Sequence, residues 1–120
     1  MKKAEGDFAS ALRELRARKD PNYDAACFHA QQCAEKYITA CLQEEDIPFG
    51  KVHDLSALLD LIIAVKPGLE MLRPYMRIMS VYAVEFRYPG ESADKQLARE
   101  AVLICKKVRI TLRNTLGMQD

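Results

Sequence analysis

Polar side chains suited to binding or proton transfer lie in three separate stretches of the chain. The set consists of His29, Gln32, Lys36, His53, Asp54, Arg87 and Tyr88. Imidazoles move protons near pH 7, whereas ammonium and guanidinium groups bind phosphate. Tyrosine and histidine rings also stack on bases. If the fold brings these residues together, they predict a nucleotide-binding or RNA-end-binding site.

Four members of this set also have a purely structural explanation. Asp54 precedes an apolar run and fits a helix N-cap, and His53 fits the position just before that cap. Gln32 and Lys36 fit either ordinary solvated positions or the seam of a dimer. The sequence leaves these alternatives open.

No metal or cofactor site is predicted. His29 and Cys33 stand four residues apart, a spacing that lets one helix face offer two metal ligands. A third ligand would have to come from Cys105 or His53, and nothing in the sequence places either one nearby. The four cysteines lack CxxC spacing and are expected to be free, partly buried thiols of a reducing cytoplasm.

The stretch 22–45 is predicted to be the central helix that positions part of this set. Its apolar residues repeat at steps of four and three: Tyr23, Cys27, Ala30, Ala34, Tyr37 and Cys41. Such spacing keeps the side chains on one stripe of a helix. The small Ala30 and Ala34 would let a neighbouring helix approach closely. His29, Gln32 and Lys36 are expected on the reverse side.

Four further helices are predicted. The first covers about 3–18, the third opens at Asp54, and the fourth runs from Leu69 to about Tyr82, with Pro74 in its first turn or at a kink. The fifth is expected to start at a Ser92 cap and to reach about Leu116. Without a convincing strand, the pattern predicts a single all-α domain over 1–120. We expect an up-and-down antiparallel bundle of about five helices, four long and one short.

The charge and hydropathy of the chain argue against several classes of protein. The net charge of +1 gives no overall field toward nucleic acid or an anionic membrane. The start of the chain has no apolar signal-peptide core, and no apolar run reaches the roughly 20 residues of a membrane span. A cytoplasmic protein with no membrane association is therefore expected.

Three motifs taken together resemble the HEPN domain family. They are Ala30-Gln31-Gln32-Cys33-Ala34-Glu35-Lys36 on a long helix, Lys51-Val52-His53-Asp54-Leu55 opening the next one, and Arg87-Tyr88-Pro89 before the last. The resemblance runs from about Phe8 to Leu116. It implies a helical bundle that homodimerises. It also implies a nucleotidyltransferase partner in a toxin–antitoxin pair, metal-independent RNase activity in some members, and nucleotide binding.

The RNase members of the family carry an Arg followed after four to six residues by a His. Here Arg87 is present, but positions 91–94 are Glu, Ser, Ala and Asp, and no His follows His53. The imidazole that would transfer the proton is therefore missing. Arg87 then either binds phosphate or pairs with a carboxylate such as Glu35 or Glu85.

Two functions remain after this comparison. The first is a non-catalytic, homodimeric interaction module that binds a nucleotidyltransferase and a nucleotide. The alternative is a metal-independent RNase toxin that uses Arg87 without the usual His.

Two surfaces are further candidates for contacts with a partner. Arg99, Lys106 and Arg113 are seven residues apart and form one basic ridge on the last helix, either a solvated face or one that meets phosphates or an acidic partner. Several Met and Tyr residues on the fourth helix, including Met71, exceed what a short helix needs for its core. They predict core packing or a surface for self-association or a partner.

Overall fold

The structure is a computed structural model that describes residues 1–85 and 92–118, with side chains up to Val81 and again from Ser92. Five α-helices form it: α1 (Lys2–Arg16), α2 (Tyr23–Glu44), α3 (Leu55–Ile63), α4 (Arg73–Glu85) and α5 (Lys95–Thr115). A 3₁₀ segment, Pro67–Leu72, precedes α4. No strand occurs in the described ranges, so the predicted all-α bundle of four long helices and one short helix is confirmed.

Side-chain caps fix the starts of α2, α3 and α5. Asn22 Oδ1 accepts a hydrogen bond from the Ala25 amide at 2.9 Å, and Asp54 Oδ1 accepts one from the Ser56 amide at 2.8 Å. The prediction that Ser92 caps the last helix is wrong. Asp94 holds that place, and its Oδ1 accepts from the Leu97 amide at 2.8 Å. Serine and aspartate are both good caps, so residue type alone could not identify which of the two starts the helix.

The fourth helix starts later than predicted. The chain from Pro67 to Leu72 forms the 3₁₀ segment, and α4 begins only at Arg73, which leaves Pro74 in the first turn. A proline there removes no helical hydrogen bond, because the first amides of a helix have no partner within it. Of the two predicted places for Pro74, the first turn is therefore confirmed, and the predicted helix start at Leu69 is wrong.

α2 is the centre of the bundle, because α1, α3, α4 and α5 all pack against it. Its predicted stripe is confirmed: five of the six stripe residues are no more than 1% exposed, and Tyr23 is half-buried. The central helix therefore holds its polar side chains within reach of its neighbours.

α1 and α2 run antiparallel. Asp7, near the start of α1, contacts Lys36 in the second half of α2, whereas Glu14 accepts a hydrogen bond from the Asn22 amide just before α2 at 3.1 Å. Acidic residues in α1 are thereby placed along one side of α2. Because of this alignment, polar residues of α2 contact carboxylates of α1.

α2 and α5 run in the same direction. Near their starts, Asp24 accepts a hydrogen bond from the Ala93 amide at 2.5 Å, and near their ends Cys41 Sγ lies 3.9 Å from the Leu112 carbonyl oxygen. α4 runs against α5. Tyr75 near the start of α4 contacts Lys107 in the second half of α5.

The four cysteines are free and buried, as expected for thiols that fill a core. Burial raises the pKa of Cys27 to about 12 and that of Cys41 to about 11. A hydrogen bond between the Cys33 and Cys105 thiols, together with burial, raises the pKa of Cys33. None of these three thiols is therefore prepared to act as a nucleophile. No helix in the described part of the chain is both long and apolar enough to cross a bilayer.

Candidate functional site

His29 and Lys36, two of the predicted site residues, meet at one carboxylate of α1. The Nδ1 atom of His29 lies 2.8 Å from Asp7 Oδ1, and the Lys36 ammonium group donates a hydrogen bond to Asp7 Oδ2. The two α2 residues are seven positions apart, so they lie on one side of the helix. Asp7 itself is only 8% exposed.

The pairing has two chemical consequences. A nearly buried carboxylate needs charged or hydrogen-bonding partners, and Lys36 and His29 supply them, so the positive charge of Lys36 is balanced within the chain. The carboxylate also orients the His29 ring, whose second nitrogen, Nε2, is not involved in this contact. The Phe28 ring lies edge-on to the imidazole, with their centroids 5.4 Å apart.

Gln32 lies on the same side of α2 but has a different partner. Its side-chain amide donates to the Oε1 of Gln31 at 2.9 Å, and Gln31 is nearly buried. Gln32 is itself half-buried. It is therefore directed toward its own helix and not toward the Asp7 carboxylate.

His53 and Asp54 lie in a separate place. His53 Nδ1 is 3.3 Å from Glu35 Oε2, with the imidazole 77% exposed and the carboxylate 15% exposed. Asp54 caps α3 through its side chain, as its structural alternative predicted. Among the described residues no hydrogen bond joins this pair to Asp7, so the structure does not bring the two histidines into one cluster.

Arg87 and Tyr88 lie outside the described residues, so their predicted roles stay predictions. One of the two carboxylates considered as a partner for Arg87 was Glu35. In the structure Glu35 contacts His53.

A second polar network, which the sequence analysis missed, joins α1, α2 and α5. Glu5 accepts hydrogen bonds from Arg109 at 2.8 Å and 2.6 Å and from the Tyr37 hydroxyl at 2.5 Å. Arg113 donates to the same hydroxyl at 2.9 Å. A tyrosine on the buried stripe was the available signal, because a buried hydroxyl needs a hydrogen-bond partner.

Hydrogen bonds to the arginines and burial fix the protonation states of this network. The hydrogen bonds from Arg109 lower the pKa of Glu5 to about 2, so the carboxylate stays charged. Burial, followed by the hydrogen bond to Glu5, raises the pKa of Tyr37 to about 12, which keeps the hydroxyl protonated at neutral pH. Arg113 is 12% exposed and turned inward, so the exposed basic ridge on α5 is limited to Arg99 and Lys106.

Within the described residues no group of three or more His, Cys, Asp or Glu side chains is arranged to hold a metal ion. The chemistry that the arrangement supports is hydrogen bonding and charge pairing at the α1–α2 contact.

Comparison with known proteins gives one match. The family model described as HEPN domain matches residues 1–114. No curated protein and no solved structure matches the chain. The match covers nearly the whole sequence, including α1 to α4 and all of α5 but its last residue. The chain therefore belongs to the HEPN domain family.

Proposed function

We propose that this protein is a non-catalytic HEPN interaction module. It forms a homodimer in the cytoplasm, binds a nucleotidyltransferase partner in a toxin–antitoxin-like pair, and itself binds a nucleotide. Family membership supports the general role. The contacts that the polar side chains make in the fold support the non-catalytic part of the proposal.

The observation that carries the proposal is the pairing of both histidines with carboxylates of the same chain. The sequence has two histidines, and neither follows Arg87. His29 is held by Asp7 and His53 by Glu35, while the charge of Lys36 is balanced by the same Asp7. Metal-free RNA cleavage needs an imidazole beside a phosphate-binding cation. Lys36, the cation that shares Asp7 with His29, is already neutralised by that carboxylate, and this supports a non-catalytic role.

One observation favours the RNase alternative. A carboxylate bonded to Nδ1 of a histidine fixes the ring and leaves Nε2 for proton transfer, which is how general bases are often oriented. Asp7 and His29 have this geometry, with 2.8 Å between the Nδ1 and Oδ1 atoms. His29 would then replace the missing imidazole of the family motif, and Arg87 would bind the phosphate.

An RNA cleavage assay separates the two functions. Purified protein is incubated with labelled tRNA and mRNA beside the variants Arg87→Ala and His29→Gln. We expect no cleavage above a protein-free control by any of the three. Cleavage by the wild-type protein that either variant abolishes would replace the proposed function with the RNase alternative.

The partner is tested by tagging the protein in its native host and identifying what co-purifies with it. We expect a small nucleotidyltransferase that is encoded next to this gene. If the protein is recovered without one, and the neighbouring genes encode none, this part of the proposal is wrong.

The homodimer is tested by light scattering on the purified chain at micromolar concentration. We expect twice the mass of the single chain, because HEPN bundles commonly associate in pairs. A monomer mass over the whole concentration range would contradict the proposal. The partner test and this test are independent, because either association can exist without the other.

A further inference from the structure

The carboxylates of α1 are all engaged within the bundle. The segment 2–19 contains three carboxylates and six cationic residues, although the net charge of the whole chain is only +1. Each carboxylate accepts a hydrogen bond from a residue beyond α1, and the three belong to Glu5, Asp7 and Glu14. Their negative charge is therefore directed toward other parts of the fold and is not available to balance cations on the outside of α1.

The cationic residues of the same segment are all exposed. They are Lys2, Lys3, Arg13, Arg16, Arg18 and Lys19. Within residues 1–85 and 92–118 none of these six side chains forms an ion pair or a hydrogen bond. The first helix thus separates its charges, with the acidic groups turned inward and the basic groups left in solvent.

Three of the cations share one side of α1. At about 100° per residue, Lys2, Arg13 and Arg16 lie within about 60° of one another. Gly6 and Ala9 are exposed on the same side, and neither is large enough to shield the cations from a ligand. The rise of a helix spreads the three cations over about 21 Å of its length. We call Lys2, Arg13 and Arg16 the α1 basic face.

The chemistry of this face limits what it can bind. No large apolar side chain is exposed between Lys2 and Lys19. Protein interfaces are centred on apolar or aromatic anchors, and a helix lying on a membrane needs an exposed apolar side. A row of phosphates needs only cations, and the guanidinium fork of arginine matches phosphate geometry. Of these partners, a phosphodiester backbone fits the face best.

We propose that the α1 basic face binds the phosphodiester backbone of single-stranded nucleic acid without sequence preference. The inference goes beyond the proposed function, because it requires neither the partner protein nor Arg87. It also uses a different surface from the contact of Asp7 with α2. The buried residues Ala4, Asp7 and Ala11 lie on the opposite side of α1 from the basic face.

The experiment measures binding of two fluorescein-labelled oligonucleotides, oligouridine and oligothymidine, to the full-length protein by fluorescence anisotropy. Both should bind with a Kd below about 10⁻⁴ M at about 0.05 M salt, because charge pairing with phosphates supplies the affinity. The two affinities should agree within about twofold, since backbone contacts read neither base nor sugar. The slope of log affinity against log salt should be about −2 for three phosphate contacts on a single strand.

Variants locate the binding surface. The double variant Arg13→Gln with Arg16→Gln should weaken binding of both oligonucleotides by about tenfold or more and should bring the salt slope to about −0.7. Arg99→Gln with Lys106→Gln is the matched control, because it removes the same charge from exposed positions on α5. It should leave the affinity within about twofold of the wild type. Circular dichroism verifies that both double variants are folded.

Several results would overturn the inference. The first is no saturable binding of either oligonucleotide up to about 0.1 mM protein. The second is equal weakening by the two double variants, which would mean that only net charge matters. The third is a preference of about tenfold for one oligonucleotide, which would indicate recognition of base or sugar.

Two further results would assign the ligand or the surface differently. Binding of polyglutamate in place of the oligonucleotides would identify an acidic protein as the ligand. Loss of binding in Arg87→Ala but not in the Arg13 and Arg16 double variant would place the nucleic acid at the family motif. Rejection on any of these grounds leaves the homodimer and the nucleotidyltransferase partner standing, because light scattering and co-purification test them separately.

Discussion

A single carboxylate, Asp7, decides how two of the predicted site residues behave. It lies 22 positions from His29 and 29 positions from Lys36 in the chain, yet it bonds both. Helical periodicity placed the two α2 residues on one side correctly, because that is a local property. It gave no information about which residue of another helix would face them. Distant charge pairs of this kind cannot be predicted from one sequence.

Removing the negative charge of Asp7 should uncover an anion-binding site. In Asp7→Asn, Lys36 and His29 lose their carboxylate, and we expect affinity for ATP to rise by about tenfold, since roughly 1.4 kcal/mol is a modest charge effect at partly buried groups. Isothermal titration calorimetry measures it. Glu14→Gln serves as the control, because it removes a charge from the same helix at a carboxylate that accepts a hydrogen bond from the Asn22 amide. Unchanged affinity in Asp7→Asn would contradict the nucleotide-binding role of these α2 residues.

Glu5 should make the stability of the fold depend on pH in the acid range. Its pKa is about 2 in the folded protein and 4.5 ordinarily, because Arg109 donates hydrogen bonds to the carboxylate. A lowered folded-state pKa stabilises the protein fully above pH 4.5, and the contribution is lost as the pH falls toward 2. The side chain is 36% exposed, so solvent screening reduces the effect to about 1–2 kcal/mol.

The variant Glu5→Gln tests this dependence by urea unfolding across pH. At pH 7 we expect its free energy of unfolding to be about 1–2 kcal/mol below that of the wild type, with the gap closing as the pH is lowered from 4.5 to 2. Glu44→Gln, at an exposed position near the end of α2, should show no such closing gap. A gap that stays constant with pH would mean that the carboxylate charge does not contribute.

The sequence predicted the presence and order of the five helices, but it predicted their first and last residues less well. The apolar stripe of α2 and the cap Asp54 were predicted correctly from local chemistry. The start of α4 was not, because a proline tolerates both a 3₁₀ turn and the first turn of an α-helix, and packing of Leu69 and Leu72 into the core accompanies the 3₁₀ form. Boundaries depend on tertiary contacts that a local pattern does not contain.

The start of α5 offers a test of which cap stabilises the helix. Asp94→Ala removes the hydrogen bond to the Leu97 amide and should lower the free energy of unfolding by about 1 kcal/mol. Ser92→Ala changes an exposed residue that does not cap the helix and should have little effect. Chemical denaturation of both variants gives the comparison. A larger loss in Ser92→Ala than in Asp94→Ala would restore the original prediction for this cap.

At the scale of the whole molecule, α2 couples the core to the polar contacts. Its buried stripe packs among the other helices, while its remaining side meets Asp7 through His29 and Lys36. The sequence predicted the all-α architecture and the central role of this helix because the stripe repeats over the full length of α2. It could not predict that α1 would supply the carboxylates, since that depends on how two amphipathic helices align.

The small residues of the stripe should therefore be sensitive to added volume. Ala34 is 1% exposed at the middle of α2, and Ala34→Leu inserts three carbon atoms where neighbouring helices pack closely. We expect the free energy of unfolding to fall by about 1–3 kcal/mol. Ala40→Leu makes the same change on the same helix at a half-buried position and should cost much less. Thermal and urea unfolding measure both variants. If Ala34→Leu unfolds like Ala40→Leu, α2 does not hold its neighbours at close range, and the geometry of the Asp7 contacts would no longer follow from the packing of the bundle.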